Sequence, residues 1–131
     1  MPAYVIKQGE DMKFVVPLLD QNVPVQIKPA TPSDPDLVLN IKAILKVGTA
    51  EVARYALVAE DGFGIIELHD TMTHAVEILA TRSQTRNWVP GVLKAFIAAD
   101  FIDPEFVNGR RVEFEVSLGR VAQGNTVELN P

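Results

Sequence analysis

Hydrophobic and polar residues alternate strictly near the end of the chain, over residues 112–118. The two sets would occupy opposite faces of an extended segment: Val112, Phe114, Val116 and Leu118 against Glu113, Glu115 and Ser117. Such alternation is typical of a strand with one face buried and the other in water. Asn108-Gly109 precedes it and supplies a turn. The pattern therefore predicts a strand over Arg111 to Val121.

The same alternation predicts further strands in the first half of the chain. They cover residues 4–6, 12–19, 23–27 and 37–47, the last of these being the longest signal. Pro17 has no N–H for a ladder bond, which places the second strand at a sheet edge or at a bulge. Asp20-Gln21-Asn22 separates the second and third runs, so we expect these two runs to form a hairpin.

Three later segments are harder to assign. Glu51 to Ala59 fits a helix face or a strand face, and the strand is favoured because Asp61-Gly62 is a hairpin turn and β-rich residues follow it. Asp70 to Thr81 is the best helix candidate, since Asp70 can cap it and apolar residues recur at helical spacing. Val92 to Ala99 fits a strand or a short helix equally well.

These elements predict a mainly β fold, a single-domain antiparallel β-sandwich over residues 1–131 with one short helix at about 70–81. A proline-rich loop at 28–36 lies within the domain, and residues 122–131 form a polar C-terminal tail. The alternative is an α+β fold, in which residues 51–59, 70–81 and 92–99 are all helical.

Composition narrows the class of function. The 131 residues are 47% hydrophobic and contain no cysteine, so the chain can bury a core but cannot form a disulfide or a thiolate zinc site. The net charge of −5 argues against nucleic acid as a partner, because phosphate contacts need a positive face. No apolar run approaches the roughly 20 residues that span a bilayer, so no membrane partner is expected.

Reactive side chains do not form a recognisable site. His69 and His74 are five positions apart, so on a helix they would point in different directions and would not form a ligand pair. Acidic residues near the prolines lack the loop pattern of a calcium site, and no serine lies in a glycine-flanked elbow. We therefore predict no catalytic residue, no metal, no cofactor and no enzymatic activity.

One segment has the composition of an interface. Residues 81–88 combine arginines and adaptable polar groups with the only tryptophan, a mixture that is enriched where proteins meet. Together with the arginines that precede the last strand, it gives these candidate interface residues: Arg82, Gln84, Arg86, Trp88, Arg110 and Arg111. The alternative is that Trp88 is a core residue beneath a solvated loop and that the arginines are the polar ends of a strand.

The order of turns and strands also resembles a known family. It is carried by Ile6-Lys7-Gln8-Gly9-Glu10-Asp11 before a strand, Leu18-Leu19-Asp20 entering a turn, Val23-Pro24-Val25 after it, Asp61-Gly62 before a strand, and Trp88-Val89-Pro90-Gly91 before another. In this order the chain resembles the immunoglobulin-like β-sandwich modules of tailed bacteriophage structural proteins, found in baseplate, tail, neck and head accessory proteins. It departs from them at the predicted helix and at the proline-rich loop.

The resemblance implies a non-enzymatic structural component of a virion, made in the host cytoplasm. Such a protein would act by oligomeric assembly, with other copies of itself and other virion proteins as partners, whether in the tail, neck or baseplate or as a decoration of the capsid. Two alternatives remain at this point. One is a small-ligand-binding or enzymatic α+β domain, and the other is an adaptor that binds a host protein through residues 81–88.

Overall fold

Ten strands and one short helix account for the regular structure in the computed structural model, which describes residues 4–29, 31, 33–34, 37–102, 105 and 109–122. The strands are β1 (Tyr4–Lys7), β2 (Met12–Pro17), β3 (Leu19–Asp20), β4 (Val23–Pro24), β5 (Val38–Val47), β6 (Ala50–Ala56), β7 (Gly64–Leu68), β8 (Ala75–Ala80), β9 (Gly91–Phe101) and β10 (Arg110–Ala122), and the helix is α1 (Arg82–Thr85). The chain is therefore mainly β, as predicted.

Eight of these strands form one sheet in the order β1-β10-β9-β5-β6-β7-β8-β2, which is nearly closed into a barrel. Its two ends meet where the N–H of Val15 on β2 donates to the hydroxyl of Tyr4 on β1, at 3.1 Å. Most neighbours are antiparallel, but β1 runs parallel to β10, and β6 runs parallel to β7 over only two residue pairs. The core lies inside this curved sheet.

The strands β5 and β10 form where one face is apolar and the other is exposed to water. In β10 the side chains of Phe114 and Leu118 are buried while those of Glu113 and Glu115 are exposed, so the strand predicted for residues 111–121 is confirmed. The strand predicted for 37–47 is confirmed as β5, which also alternates between buried and less buried positions.

The predicted hairpin near Pro17 is confirmed only at its turn. Gln21 and Asn22 both have positive φ, 51° and 66°, as a tight two-residue hairpin turn requires. The strands that it joins are the short β3 and β4, which pair with each other apart from the large sheet. β2 instead pairs with β8 and lies at one end of the strand order, where Pro17 costs no interior ladder bond.

The predicted helix over Asp70 to Thr81 is wrong, because residues 75–80 form β8. Ala75, Val76, Glu77 and Ile78 are all buried, so this strand has no wet face and its apolar positions do not alternate. Asp70 does not cap a helix. The ring Nδ1 of the residue before it, His69, instead accepts backbone N–H bonds from the turn at residues 71–72.

The helix that does form, α1, follows β8 and is four residues long. The part of the chain that the structure describes contains no helix with the length and apolarity needed to cross a membrane. The segment 51–59 was predicted as a strand with a helix as the alternative, and the strand is confirmed as β6. Residues 92–99 are extended within β9, so the α+β alternative, which required both segments and residues 70–81 to be helical, is wrong.

The turn at Asp61-Gly62 is present, but the hairpin predicted around it is wrong. β7 takes β8 as its antiparallel partner over four residue pairs and meets β6 only in parallel, through Tyr55↔Gly64 and Ala56↔Ile65. The turn therefore carries the chain from one antiparallel group of strands, β10-β9-β5-β6, to the other, β7-β8-β2.

Aliphatic side chains fill most of the core, and a small aromatic group lies at one end. Phe14 stacks on Trp88 with ring centroids 6.3 Å apart, and Tyr4 meets Phe14 edge-on at 5.1 Å. The proline-rich loop 28–36 is described only at residues 28–29, 31 and 33–34, and residues 123–131 of the predicted tail lie outside the described residues.

Candidate interaction surfaces

Helix α1 is fixed to the turn between β1 and β2 by hydrogen bonds on two sides. The backbone N–H of Arg82 donates to the carboxylate of Asp11 at 2.7 Å. The hydroxyl of Thr85, which is fully buried, donates to the carbonyl of Glu10 at 2.7 Å and accepts the N–H of Gly9 at 3.1 Å. The predicted interface segment is therefore a rigid part of the fold and not a loose loop.

Gln84 has a structural role within this segment. Its side-chain Oε1 accepts the backbone N–H of Thr81 at 3.0 Å, which satisfies a free donor at the start of α1. The same oxygen accepts the hydroxyl of Tyr55 at 2.9 Å. Tyr55 is fully buried, and burial raises the pKa of its phenol above the usual range. Gln84 thus connects the helix start to the core.

Trp88 is 1% exposed and lies in the core, beside Phe14. Its carbonyl accepts the side-chain amide of Gln8, while its indole Nε1 has no acceptor among the described residues. Trp88 is therefore a core residue, as the alternative interpretation of residues 81–88 stated. Of the residues predicted in this segment, only Arg82 and Arg86 present exposed side chains.

The remaining two predicted residues lie at the other end of the molecule. Arg111 forms a two-point contact with Asp100, at 2.8 and 3.3 Å, and this carboxylate raises the pKa of the guanidinium. Arg110 pairs with Phe101, the last residue of β9, whereas α1 precedes the first residue of β9. Ten residue steps of β9, about 33 Å, separate these ends. The six predicted residues therefore do not form one surface.

The two histidines have backbone roles. His69 accepts the turn N–H groups described above, and the carbonyl of His74 accepts the N–H of Leu18 at 2.7 Å. Lys28 donates through its Nζ to the carbonyls of His69 and Asp70, at 2.9 and 2.8 Å. Among the described residues no three histidine or acidic side chains cluster in a way that could hold a metal ion.

A surface that the sequence did not indicate lies on the solvent side of β5, β9 and β10, here called the outer face. It contains a depression of about 510 Å³. The outward side chains that line it come from all three strands: Lys42 and Ile44 from β5, Phe96, Ala98 and Asp100 from β9, and Arg111, Glu113 and Glu115 from β10. Because β9 lies between β5 and β10, its side chains form the middle of the outer face.

On the middle strand, Phe96 and Ala98 form a small apolar centre between the outward charged residues Lys94 and Asp100. Phe96 is 36% exposed although it stands at a position where β9 faces water. The Nζ of Lys46 lies 5.3 Å from the centre of this ring, and the Nζ of Lys42 lies 5.1 Å from the ring of Phe63. An aromatic residue on the wet face of a strand is the signal that could have indicated this surface once residues 92–99 were assigned as a strand.

Comparison with protein-family models, curated sequences and solved structures found no match for this chain. Its role is therefore inferred from the strand order and from the two surfaces described above, α1 with its exposed arginines and the outer face.

Proposed function

We propose that the protein is a non-enzymatic structural component of a bacteriophage virion that acts by oligomeric assembly. The observation that carries the proposal is the strand order, which divides into β1-β10-β9-β5-β6 and β7-β8-β2 at the two-residue parallel bridge. On this basis we propose that the nearly closed sheet is a sandwich of two sheets, with the core between them.

The strand order supports an immunoglobulin-like form of this sandwich. In such domains strands C, F and G form one sheet, with an added C′ in the variable type, and strands B, E and D belong to the other. Here β5, β9 and β10 take the places of C, F and G, β6 takes that of C′, and β2, β8 and β7 take those of B, E and D. This is the architecture implied by the resemblance to the phage modules.

A fold analogy alone does not assign a function, but the surface agrees with an assembly role. The exposed aromatic ring of Phe96 lies on a broad sheet face among charged side chains, an arrangement found where proteins dock. The ionisable groups that face it, such as Arg111 with Asp100, form surface pairs.

Mass spectrometry of density-purified particles, from the phage whose genome encodes the chain, tests this proposal. We expect its peptides in intact particles at a fixed ratio to the major capsid protein, after washing at high salt. Recovery of the protein only in the soluble fraction of the lysate, with none in particles, would overturn the proposal. A gene position beside portal, capsid or tail genes is expected, and metabolic neighbours would count against it.

A further inference from the structure

A cavity of about 370 Å³ opens at the end of the large sheet where β5 begins, here called the end cavity. Seven of the eight residues that line it are aliphatic residues or proline, and the eighth is Lys28. The most exposed of the apolar lining side chains are Leu39 and Val58, at 55% and 53%. A concave site of this size with a mostly apolar lining is typical of a binding site for an apolar group.

The one charged group of the end cavity is held in place by the backbone. The Nζ of Lys28 donates to the carbonyls of His69 and Asp70, at 2.9 and 2.8 Å. None of the ion pairs found among the described residues includes this lysine. An ammonium group has three N–H donors, so one donor is left for an anion that enters the cavity. The end cavity therefore suits an apolar group that bears a single negative charge.

We propose that the end cavity binds residues 127–129 of a second copy of the chain, which belong to the C-terminal segment outside the described residues. The contact rests on the proposed assembly function and specifies the segment and the surface that it uses. Val127 and Leu129 share one face of an extended segment and match the apolar lining. Glu128 is the only charged residue after Ala122, and in the proposed contact it stays at the mouth of the cavity, within reach of Lys28.

The path of β10 excludes the C-terminal segment of the same copy. Arg110 of β10 and Val38 of the end cavity both lie opposite Phe101 of β9. From there β10 runs to the other end of β9, ten residue steps or about 33 Å away. Leu129 follows the last residue of β10 by seven positions, which span at most about 25 Å. Leu129 therefore cannot return to the end cavity of its own copy.

The contact joins two unlike surfaces. The end cavity lies at one end of β9 and the last residue of β10 lies at the other, so each copy offers both a cavity and a segment that fills one. A heterologous contact of this kind closes into a ring if the rotation between copies allows it, and otherwise continues as a filament. Either form repeats one contact over many copies, which agrees with the proposed assembly role.

A single contact of this kind is expected to be weak. Two aliphatic side chains and one exposed ion pair bury far less than the ~800 Å² per partner of a standard interface, and fixing a segment of chain costs entropy. We therefore expect a dissociation constant between about 10 µM and 1 mM. In a ring or on a particle the neighbouring copies raise the effective concentration of the segment.

Sedimentation velocity of full-length variants tests the contact from both sides. V127S/L129S changes the segment, and L39S/V58S changes the two exposed residues of the end cavity. We expect the wild type to form dimers or larger species as its concentration rises to about 1 mM, and each variant alone to self-associate at least about tenfold more weakly. An equimolar mixture should give a heterodimer and nothing larger, because the first variant keeps an intact cavity and the second keeps an intact segment.

Two further variants separate this contact from general surface effects. I65S/V92S is the matched control, since it removes two aliphatic side chains of similar exposure, 58% and 44%, that do not line the end cavity. It should associate as strongly as the wild type. E128Q should weaken association by about two- to fivefold and make it less sensitive to salt, because it removes one partner of an exposed ion pair. The fluorescence of the buried Trp88 shows whether each variant is folded.

Four results would overturn the contact: a wild-type chain that stays monomeric at about 1 mM, unchanged association in V127S/L129S or in L39S/V58S, an equal loss in I65S/V92S, and a mixture of the two variants that stays monomeric. Unchanged affinity in E128Q would overturn the part assigned to Lys28. The particle experiment decides the proposed function separately. A chain that is present in particles but insensitive to these substitutions would assemble through another surface.

Discussion

Gly119 of β10 lies opposite Tyr4 of the parallel strand β1, and we predict that a methyl group at Gly119 displaces β1. The φ of Gly119 is +149°, and a Cβ would clash with the carbonyl oxygen of Tyr4 and lie 2.6 Å from its backbone nitrogen. Both atoms belong to the backbone, so no change of rotamer relieves the contact. β1 must therefore move away from β10 in Gly119→Ala.

The contacts that β1 makes set the size of the effect. Ile6 is fully buried, the Tyr4 ring meets Phe14 edge-on, and the Tyr4 hydroxyl accepts the N–H of Val15. Complete loss of these contacts would cost at most about 6 kcal/mol. The freed residues regain chain entropy, so we expect the free energy of unfolding to fall by about 2–3 kcal/mol.

Urea unfolding followed by tryptophan fluorescence measures this change, because the single tryptophan, Trp88, is buried beside Phe14. Gly48→Ala is the matched control. Gly48 also has a positive φ, +62°, but no atom of the described residues lies within 4 Å of its Cβ position, so that substitution costs only the left-handed backbone strain of about 1–2 kcal/mol. If Gly119→Ala proves no less stable than Gly48→Ala, the packing of β1 on β10 is not as described.

Three further predictions concern buried side chains and contacts elsewhere in the sheet. Burial raises the pKa of the Tyr55 phenol above its unfolded value of about 10, so the stability contributed by the neutral phenol is complete below pH ~10 and is lost as the pH rises further. In urea unfolding from pH 8 to 11, the free energy of unfolding should therefore decline more steeply with pH in the wild type than in Tyr55→Phe. Equal slopes in the two proteins would contradict the burial of Tyr55. Lys13→Met removes the Nζ that lies 2.6 Å from the buried carboxylate of Glu77 and should lower the free energy of unfolding by about 1–3 kcal/mol. In a double-mutant cycle the same change should cost less in a Glu77→Gln background, and additive costs would show that the pair is uncoupled. Gly64→Ala brings a Cβ within 2.6 Å of the buried Tyr55 ring and should cost about 1–3 kcal/mol in thermal unfolding, whereas a neutral result would mean that the ring can move aside.

The sequence predicts a strand well where the strand has one wet face. β5 and β10 were recognised because buried and exposed positions alternate in them. β8 was mistaken for a helix because Glu77 is buried along with its apolar neighbours, so the period of two is absent. A strand buried on both faces can be distinguished from a helix only by its partners, which in this case are β2 and β7.

Long-range pairing accounts for the error at Asp61-Gly62. The turn chemistry was recognised correctly, with Gly62 at φ +84°, but a local turn does not determine which strand the next segment joins. β7 pairs with β6 over two residue pairs only and with β8 over four. A hairpin signal thus predicts that the chain turns. It does not predict which strand the next segment pairs with, because that depends on residues distant in sequence.

The outer face illustrates a stronger limit on prediction. Its side chains come from β5, which ends at Val47, and from β9 and β10, which begin at Gly91 and Arg110, so they are distant in sequence. Residues 81–88 were predicted to be an interface because arginines and a tryptophan are close together in sequence, but the tryptophan is buried. Residues from distant strands form one continuous surface only when strand order and register bring them side by side.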